Sequence, residues 1–180
     1  MKTKFQSLIL GCVAVFALVP AASTLVSQEM PGPGPEHEAL KQMEGKWDAK
    51  VKSDAGESAG TISYRMECGG LWLVSEFEGD FGGMKFQGRG MDGYDPAKKK
   101  YVSVWVDSMS FRPVMFEGEM DAAKKILTMT GEGPGPDGQP MKLKAVTHFR
   151  DTDHMDFTMY IVAPDGGTAE MMTIEYVRKK

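Results

Sequence analysis

Residues 47–178 form about ten short segments in which hydrophobic and polar positions alternate. Alternation with a period of two is typical of β-strands that bury one face and expose the other. Asp, Pro and Gly separate the segments, at residues 95–98, 121–124, 136–138, 151–153 and 164–167. Evenly spaced strands with such turns between them are typical of a sheet that closes on itself. The pattern therefore predicts an all-β, antiparallel up-and-down barrel of about ten strands.

The last three segments give the most definite register, because their alternation separates a mostly apolar face from a polar one. With a three-residue loop at 151–153, the predicted pairs are Phe149 with Met155, Thr147 with Phe157, Ala145 with Met159 and Leu143 with Ile161. With a turn at Asp165 and Gly166, the last hairpin pairs Met159 with Met172, Phe157 with Ile174 and Met155 with Tyr176. A slip of one residue would move these apolar sets to the solvent side.

The middle segments are less well determined. For the sixth and seventh segments we predict Met120 opposite Ile126, Gly118 opposite Thr128 and Phe116 opposite Thr130, with Glu117 and Glu119 outside. In the fifth segment Val102, Val104 and Val106 compete with Tyr101 and Trp105 for the interior. Alternation favours neither set, because both faces of that segment are apolar.

The first 23 residues are predicted to be an export signal. Two lysines precede an apolar run at residues 8–19, and small residues follow Pro20. That run is shorter than the ~20 residues of a spanning helix, so we expect no stable transmembrane segment after cleavage. Lipidation at Cys12 is the alternative to cleavage. We expect an exported protein, periplasmic or extracellular, with a Pro/Gly-rich linker at 24–35 and a single barrel domain at 36–180 that begins with one short helix.

Composition narrows the possible partners and cross-links. The net charge is −4 and becomes −6 when the two lysines of the leader are removed. An acidic chain without a basic patch argues against nucleic acid as a partner. Loss of Cys12 leaves Cys68 alone, so we expect no internal disulfide. No histidine is placed to activate Cys68, which favours a structural or buried cysteine over a nucleophile.

The sequence provides no convincing metal, cofactor or catalytic motif. His148 and His154 fall on the polar face and His37 precedes the barrel, so we expect neither a metal nor haem. Residues 88–93 match a phosphate-binding G-x-G-x-x-G pattern, but no helix follows to receive the phosphate. Those glycines are better explained as bends in the sheet that make room opposite Trp105. We expect no catalytic residue and no cofactor.

The start of the barrel resembles the calycin superfamily, which includes the lipocalins and fatty-acid-binding proteins. There a G-x-W motif, here Gly45-Lys46-Trp47, begins the first strand and its Trp packs across one end of the barrel. The chain more closely resembles a secreted bacterial family of unknown function, domain-of-unknown-function family fifteen-seventy-nine. The segments that carry this resemblance are Pro35-Glu36-His37, Gly45-x-Trp47, Gly93-Tyr94-Asp95, Lys100-Tyr101-Val102-Ser103-x-Trp105-x-Asp107 and Glu175-Tyr176-x-Arg178. It implies a calycin-like barrel and no established activity.

The leading functional prediction is non-enzymatic binding of a small apolar or amphipathic ligand inside the barrel. Barrels of this strand number are wide enough for a cavity, and an interior rich in Met and aromatic residues suits an apolar guest. Arg112 shares its predicted inward face with Phe116, where it would bind an anionic head group or pair with a buried acid. The predicted lining consists of Arg112, Phe116, Phe149, Met155, Phe157, Met159, Met172 and Ile174, with Trp47 closing one end.

Two alternatives remain open at this point. An envelope interaction protein with a filled core would act through its surface, for which the candidates are Lys142, Lys144, Glu117 and Glu119. A hydrolase or isomerase would use the barrel mouth, with Asp107, Glu76 or Tyr101 as acid–base groups, and would need an inward carboxylate with a raised pKa. The 15 methionines fit either a Met-rich core or an adaptable ligand lining.

Overall fold

A computed structural model describes residues 32–135 and 138–180. The predicted export signal, Cys12 and most of the predicted linker lie outside the described residues. No helix within the described part of the chain combines the length and the apolar character that a membrane span requires.

The described chain consists of one short α-helix, one 3₁₀ turn and ten strands. The helix α1, Pro35–Lys41, begins with proline at its first position, where the missing N–H leaves no hydrogen bond unmade. The strands are β1 Gly45–Ser53, β2 Gly56–Glu67, β3 Trp72–Phe81, β4 Met84–Asp95, β5 Lys100–Asp107, β6 Val114–Met120, β7 Ile126–Pro134, β8 Pro140–Phe149, β9 His154–Val162 and β10 Thr168–Arg178. The 3₁₀ turn, Cys68–Gly70, connects β2 to β3.

The ten strands form a closed antiparallel barrel. Each strand pairs with its neighbours in sequence, and β1 also pairs with β10. Closure removes the free sheet edges that would otherwise expose unpaired backbone groups. The predicted fold, an up-and-down barrel of ten strands with one short helix before it, is therefore confirmed.

The two ends of the barrel differ. The helix α1 and the loops at 68–70, 96–99, 121–125 and 150–153 lie at one end, which we call the helix end. The loops at 54–55, 82–83, 108–113 and 163–167 lie at the other, together with residues 135, 138 and 139, and we call this the far end. The side chains of Leu40, Trp47, Leu73 and Met155 are almost completely buried.

The registers predicted for the last three strands are correct. Phe149 pairs with Met155 and Leu143 with Ile161, and further along β9, Met159 pairs with Met172. The β9–β10 loop is nevertheless longer than the predicted two-residue turn, because the first strand pair is Val162 with Thr168. A bulge between Glu170 and Met172 adds one residue to β10 and restores the predicted register.

The predicted register of β6 and β7 is wrong by one residue. The observed pairs are Met120 with Leu127, Gly118 with Met129 and Phe116 with Gly131. The Asp121 amide donates to the Ile126 carbonyl at 2.9 Å, and the Asp121 carboxylate accepts from the Lys125 and Ile126 amides, so Ile126 closes the turn. Leu127 and Met129 are consequently buried while Ile126 is exposed. The inward face predicted for β6 itself is correct.

Glycines on β4 decide which face of β5 points inward. Trp105 pairs with Gly90, and Tyr101, Ser103 and Trp105 share the inward face. A Cβ at Gly88 would overlap the Trp105 ring, and one at Gly90 would lie 3.2 Å from its Cε3. The indole therefore lies flat over two consecutive inward glycines. The explanation that these glycines make room for Trp105 is confirmed.

Candidate functional site

The helix end is closed by Trp47 and Arg178, as the resemblance implied for the tryptophan. The Trp47 indole N–H donates to the Met43 carbonyl at 2.8 Å. The Arg178 guanidinium carbon lies 4.0 Å from the centre of the Trp47 ring. Arg178 also donates to the carbonyls of Gln42, Glu44 and Thr152, so all of its nitrogens are used in holding this end together.

Two recesses open at the helix end. One, of about 450 Å³, includes Trp47 and Phe149 in its lining. The other, of about 270 Å³, lies beside Tyr94 and Tyr101. The Tyr101 hydroxyl donates to the Glu36 carbonyl at 3.3 Å, and burial raises the pKa of this tyrosine to about 12. These recesses lie outside the set of predicted ligand residues except for Phe149.

Seven of the eight predicted ligand residues lie on the inward face of the barrel. Their inward positions follow from burial and strand pairing, and the residues are Phe116, Phe149, Met155, Phe157, Met159, Met172 and Ile174. Phe157 and Met172 keep part of their surface accessible. The apolar lining predicted for β8, β9 and β10 is thus assembled on one side of the interior.

Arg112 lies outside this lining. Alternation would put Arg112 on the same face as Phe116, four residues later. However, Pro113 follows Arg112, and β6 begins only at Val114. Arg112 is exposed in the far-end loop, where its guanidinium donates to the Gly138 carbonyl at 3.5 Å. The structure therefore places no predicted cation beside the apolar lining.

An inward carboxylate, which the sequence reasoning did not identify, lies on β4. Asp92 pairs with the fully buried Leu73 on one side and with Ser103 on the other. Burial raises the pKa of the Asp92 carboxyl from 3.8 to about 6, and a hydrogen bond from the Ser103 hydroxyl opposes part of that rise. Burial dominates because protein surrounds the carboxylate and no cation compensates its charge.

Two tyrosines complete an inward polar cluster with Asp92 and Ser103. The Tyr64 hydroxyl donates to that of Tyr176, and β1 lies between the strands that carry them. Burial raises the pKa of both phenols, and the proximity of Asp92 raises that of Tyr64 further. Both tyrosines therefore remain neutral hydrogen-bonding groups at physiological pH. We call Tyr64, Asp92, Ser103 and Tyr176 the inner polar cluster.

Three members of the inner polar cluster are enclosed in the barrel without being fully buried. Tyr64 and Asp92 are surrounded by protein, which is why burial raises their pKa values. Both side chains nevertheless keep part of their surface accessible, as does Ser103. These three residues are therefore not fully covered by close-packed side chains.

The other acid–base candidates point elsewhere or are already bound. Glu76 is on the outer face, in ion pairs with Arg65 at 3.1 Å and Arg89 at 3.9 Å. The Asp107 carboxylate, at the far end, accepts from the Trp105 indole at 3.0 Å and from the Met109 amide at 2.8 Å. The only inward carboxylate of the described strands with a raised pKa is Asp92.

The four surface candidates lie on the outer face that the alternation predicted, and Cys68 lies on the surface as well. Glu117, Glu119, Lys142 and Lys144 lie on the outer face, where Glu117 contacts Lys98. His148 lies on the polar face as predicted, opposite Asp156, but the ion pair of Asp156 is with Arg150, at 3.0 Å. The expectation of a buried Cys68 is wrong, because the side chain is exposed on the 3₁₀ turn with φ of 51°.

The comparisons with known proteins establish a family and a fold. A family model described as a protein of unknown function (DUF1579) matches residues 32–178. The chain belongs to this family. No curated protein matches the sequence of this DUF1579 member.

Solved structures of similar fold include two natural proteins. Rv2717c from M. tuberculosis aligns with a TM-score of 0.62 and 12% identity, over 82% of this chain and 99% of that one. The S-type phycobiliprotein lyase CPES from Guillardia theta aligns with a TM-score of 0.54 and 12% identity, over 81% of this chain and 93% of that one. At such low identity the similarity concerns the fold alone.

Proposed function

We propose that this DUF1579 protein binds a small, largely apolar molecule inside the barrel, outside the cytoplasm, without converting it. The observation that carries the proposal is the lining: a continuous apolar surface on β8, β9 and β10 beside a compact inner polar cluster. Binding sites for small molecules combine such an apolar wall with a few polar groups that fix orientation. The location outside the cytoplasm rests on the export pattern of residues 1–23.

Native mass spectrometry tests whether a ligand is present. The exported protein is purified without detergent and measured before and after extraction with organic solvent. We expect a stoichiometric additional mass that extraction removes, and the extract then identifies the chemical class. For protein that arrives without a ligand, binding of the neutral dye Nile red at one site per chain is the corresponding test. A bare chain that also fails to bind the dye would contradict the proposal.

A matched pair of substitutions locates the site. Thr147 is inward and pairs with Phe157, whereas Thr158 is on the outer face of the neighbouring strand. Thr147→Phe adds a ring to the interior, so we expect it to abolish or strongly weaken dye binding. Thr158→Phe makes the same chemical change outside and should leave binding unchanged. Near-ultraviolet circular dichroism shows whether both variants keep the native packing, and equal binding by the two variants would place the site elsewhere.

The inner polar cluster also favours a second candidate, acid–base catalysis on a bound molecule. Asp92 supplies the inward carboxylate with a raised pKa that an isomerase or hydrolase of this kind would need. Within the cluster Asp92 is hydrogen-bonded to Ser103 and lies near Tyr64, and the cluster contains no histidine. Binding is the better-supported function because this cluster contains a carboxylate base without an evident activated nucleophile. Incubation of the extracted ligand with fresh protein distinguishes the two, since an enzyme would change its mass or chromatographic retention.

A further inference from the structure

We infer that the molecule bound inside the barrel carries a cationic head group, a protonated amine or a quaternary nitrogen, that pairs with Asp92. The inference rests on the proposed function, because it assigns the chemistry of a ligand at that same interior site. It concerns the polar end of the ligand, while the apolar lining on β8, β9 and β10 receives the remainder.

The first argument is the charge of the inward surface. Along the ten strands, which the structure describes throughout, the inward positions carry two carboxylates, Asp92 and Asp107, and one cation, Arg178. Arg178 stacks on Trp47 at the helix end and donates to three backbone carbonyls. Asp92 makes no ion pair with any described residue. The interior therefore holds an uncompensated carboxylate.

The second argument is what surrounds that carboxylate. The groups that neighbour Asp92 are Leu73 on β3, Ser103 on β5 and, beyond β3, Tyr64 on β2. Tyr64 is hydrogen-bonded in turn to Tyr176 on β10. Tyrosine and serine hydroxyls donate to or accept from a ligand, but they do not neutralise a carboxylate. Aromatic rings beside a carboxylate also attract a cation through their faces.

The third argument concerns the alternative head groups. A fatty acid or another anion would place a second negative charge beside Asp92, in an environment where burial already disfavours one charge. A neutral alcohol would leave the charge of the carboxylate uncompensated. A cation supplies the opposite charge that an enclosed carboxylate lacks, so it is the head group that gains most from this site. Arg112, which was predicted to lie inward and would have favoured an anion, is exposed instead.

Three probes with the same tail test the inference: dodecylammonium, dodecanol and dodecanoate, each displacing Nile red from the full mature protein at about pH 7.5. We expect dodecylammonium to bind tightest and dodecanoate weakest. Asp92→Asn should weaken dodecylammonium binding by about ten- to hundredfold, as loss of a charged hydrogen-bond partner does, and leave dodecanol unchanged. Asp54→Asn, at an exposed turn position of the far end, is the matched control and should bind like the wild type.

The pH dependence gives an independent readout. Lowering the pH through about 6 protonates Asp92 in the wild type, so dodecylammonium affinity should fall over this range. The same titration should be flat in Asp92→Asn. The tyrosines that face or adjoin Asp92 stay neutral over the range, because burial raises their pKa values.

The failures are distinguishable. If Nile red binds but the alcohol or the carboxylate displaces it as well as the ammonium does, the cationic head group is wrong and the interior site stands. If the ammonium preference is real but survives Asp92→Asn, Asp92 is not its partner and the inference is also overturned. If neither the dye nor any probe binds, the proposed function itself fails.

Discussion

Replacing Asp92 by asparagine should stabilise the protein at neutral pH. The substitution keeps the size of the side chain and an oxygen that accepts from Ser103, but it removes the charge. In the folded protein burial raises the Asp92 pKa from 3.8 to about 6. A tenfold change in an ionisation constant is ~1.4 kcal/mol, so ionising Asp92 at neutral pH costs the folded state about 3 kcal/mol.

The pH range of the effect follows from the direction of the shift. Between 3.8 and about 6 the folded state binds more protons at Asp92 than the unfolded state does. The contribution of Asp92 to the free energy of unfolding must therefore fall as pH rises through this range and level off above it. Below about pH 4 the carboxyl is protonated in both states, so wild type and Asp92→Asn should differ little there.

Urea unfolding of both proteins at a series of pH values between about 4 and 8 measures the difference directly. The free energy of unfolding of Asp92→Asn should exceed that of the wild type by an amount that rises with pH, from near zero to about 3 kcal/mol. Asp54→Asn, at an exposed position, controls for the general effect of removing one acid. A difference that does not vary with pH would show that Asp92 is not enclosed in the folded protein, and would refute the reasoning from burial.

Three further predictions, on β7, β4 and the helix end, test the packing. Leu127→Ala should cost about 2–4 kcal/mol in urea unfolding and Ile126→Ala less than ~1, because only Leu127 is inward in the observed β6–β7 register. Gly88→Ala should lower the free energy of unfolding by about 1–3 kcal/mol, since its Cβ would overlap the Trp105 ring. Because that ring must move, the wavelength of maximal tryptophan emission should change as well. Arg178→Lys should lower stability by about 2–3 kcal/mol in thermal or urea unfolding, through loss of the planar stack and of hydrogen bonds to carbonyls.

Each of these has a control on the same chain. Gly32→Ala adds a methyl group where no atom lies within 4 Å and should be neutral. Arg150→Lys alters an exposed pair with Asp156 and should cost less than ~1 kcal/mol. A larger loss of stability for Ile126→Ala than for Leu127→Ala would contradict the observed register and favour the one first predicted. An Arg178→Lys protein as stable as the wild type would mean that the helix end is held by other contacts.

The sequence determined register where a turn and the alternation agreed. The three-residue loop at 151–153 and the apolar face from Phe149 to Met159 allow only one pairing, and the structure has it. Around residue 126 the turn and the alternation did not agree on a register, because Ile126 and Leu127 are adjacent and both apolar. The choice between them depends on backbone hydrogen bonds to the Asp121 carboxylate, which alternation does not encode.

The inner polar cluster was missed for a related physical reason. The two inward positions directly before Asp92 on β4 are Gly88 and Gly90, which add nothing to the hydrophobic signal of Phe86 further along that face. The available clue was the spacing of two glycines opposite Trp105, which had been explained as room for the indole. Had that explanation fixed the inward face of β4, Asp92 would have followed from the period of two. Asp92 can thus be predicted only after the packing of Trp105 is known.

Asp92 connects the stability of the fold to its proposed function. An enclosed carboxylate that costs about 3 kcal/mol at neutral pH is destabilising, and asparagine would remove that cost. Sites that destabilise the unliganded protein in this way are expected where a ligand supplies the missing interaction. The two experiments on Asp92→Asn should therefore give opposite results: higher stability of the unliganded protein and weaker binding of an alkylammonium ion. A variant that gained stability without losing affinity would show that the enclosed charge is a cost of the fold that no ligand uses.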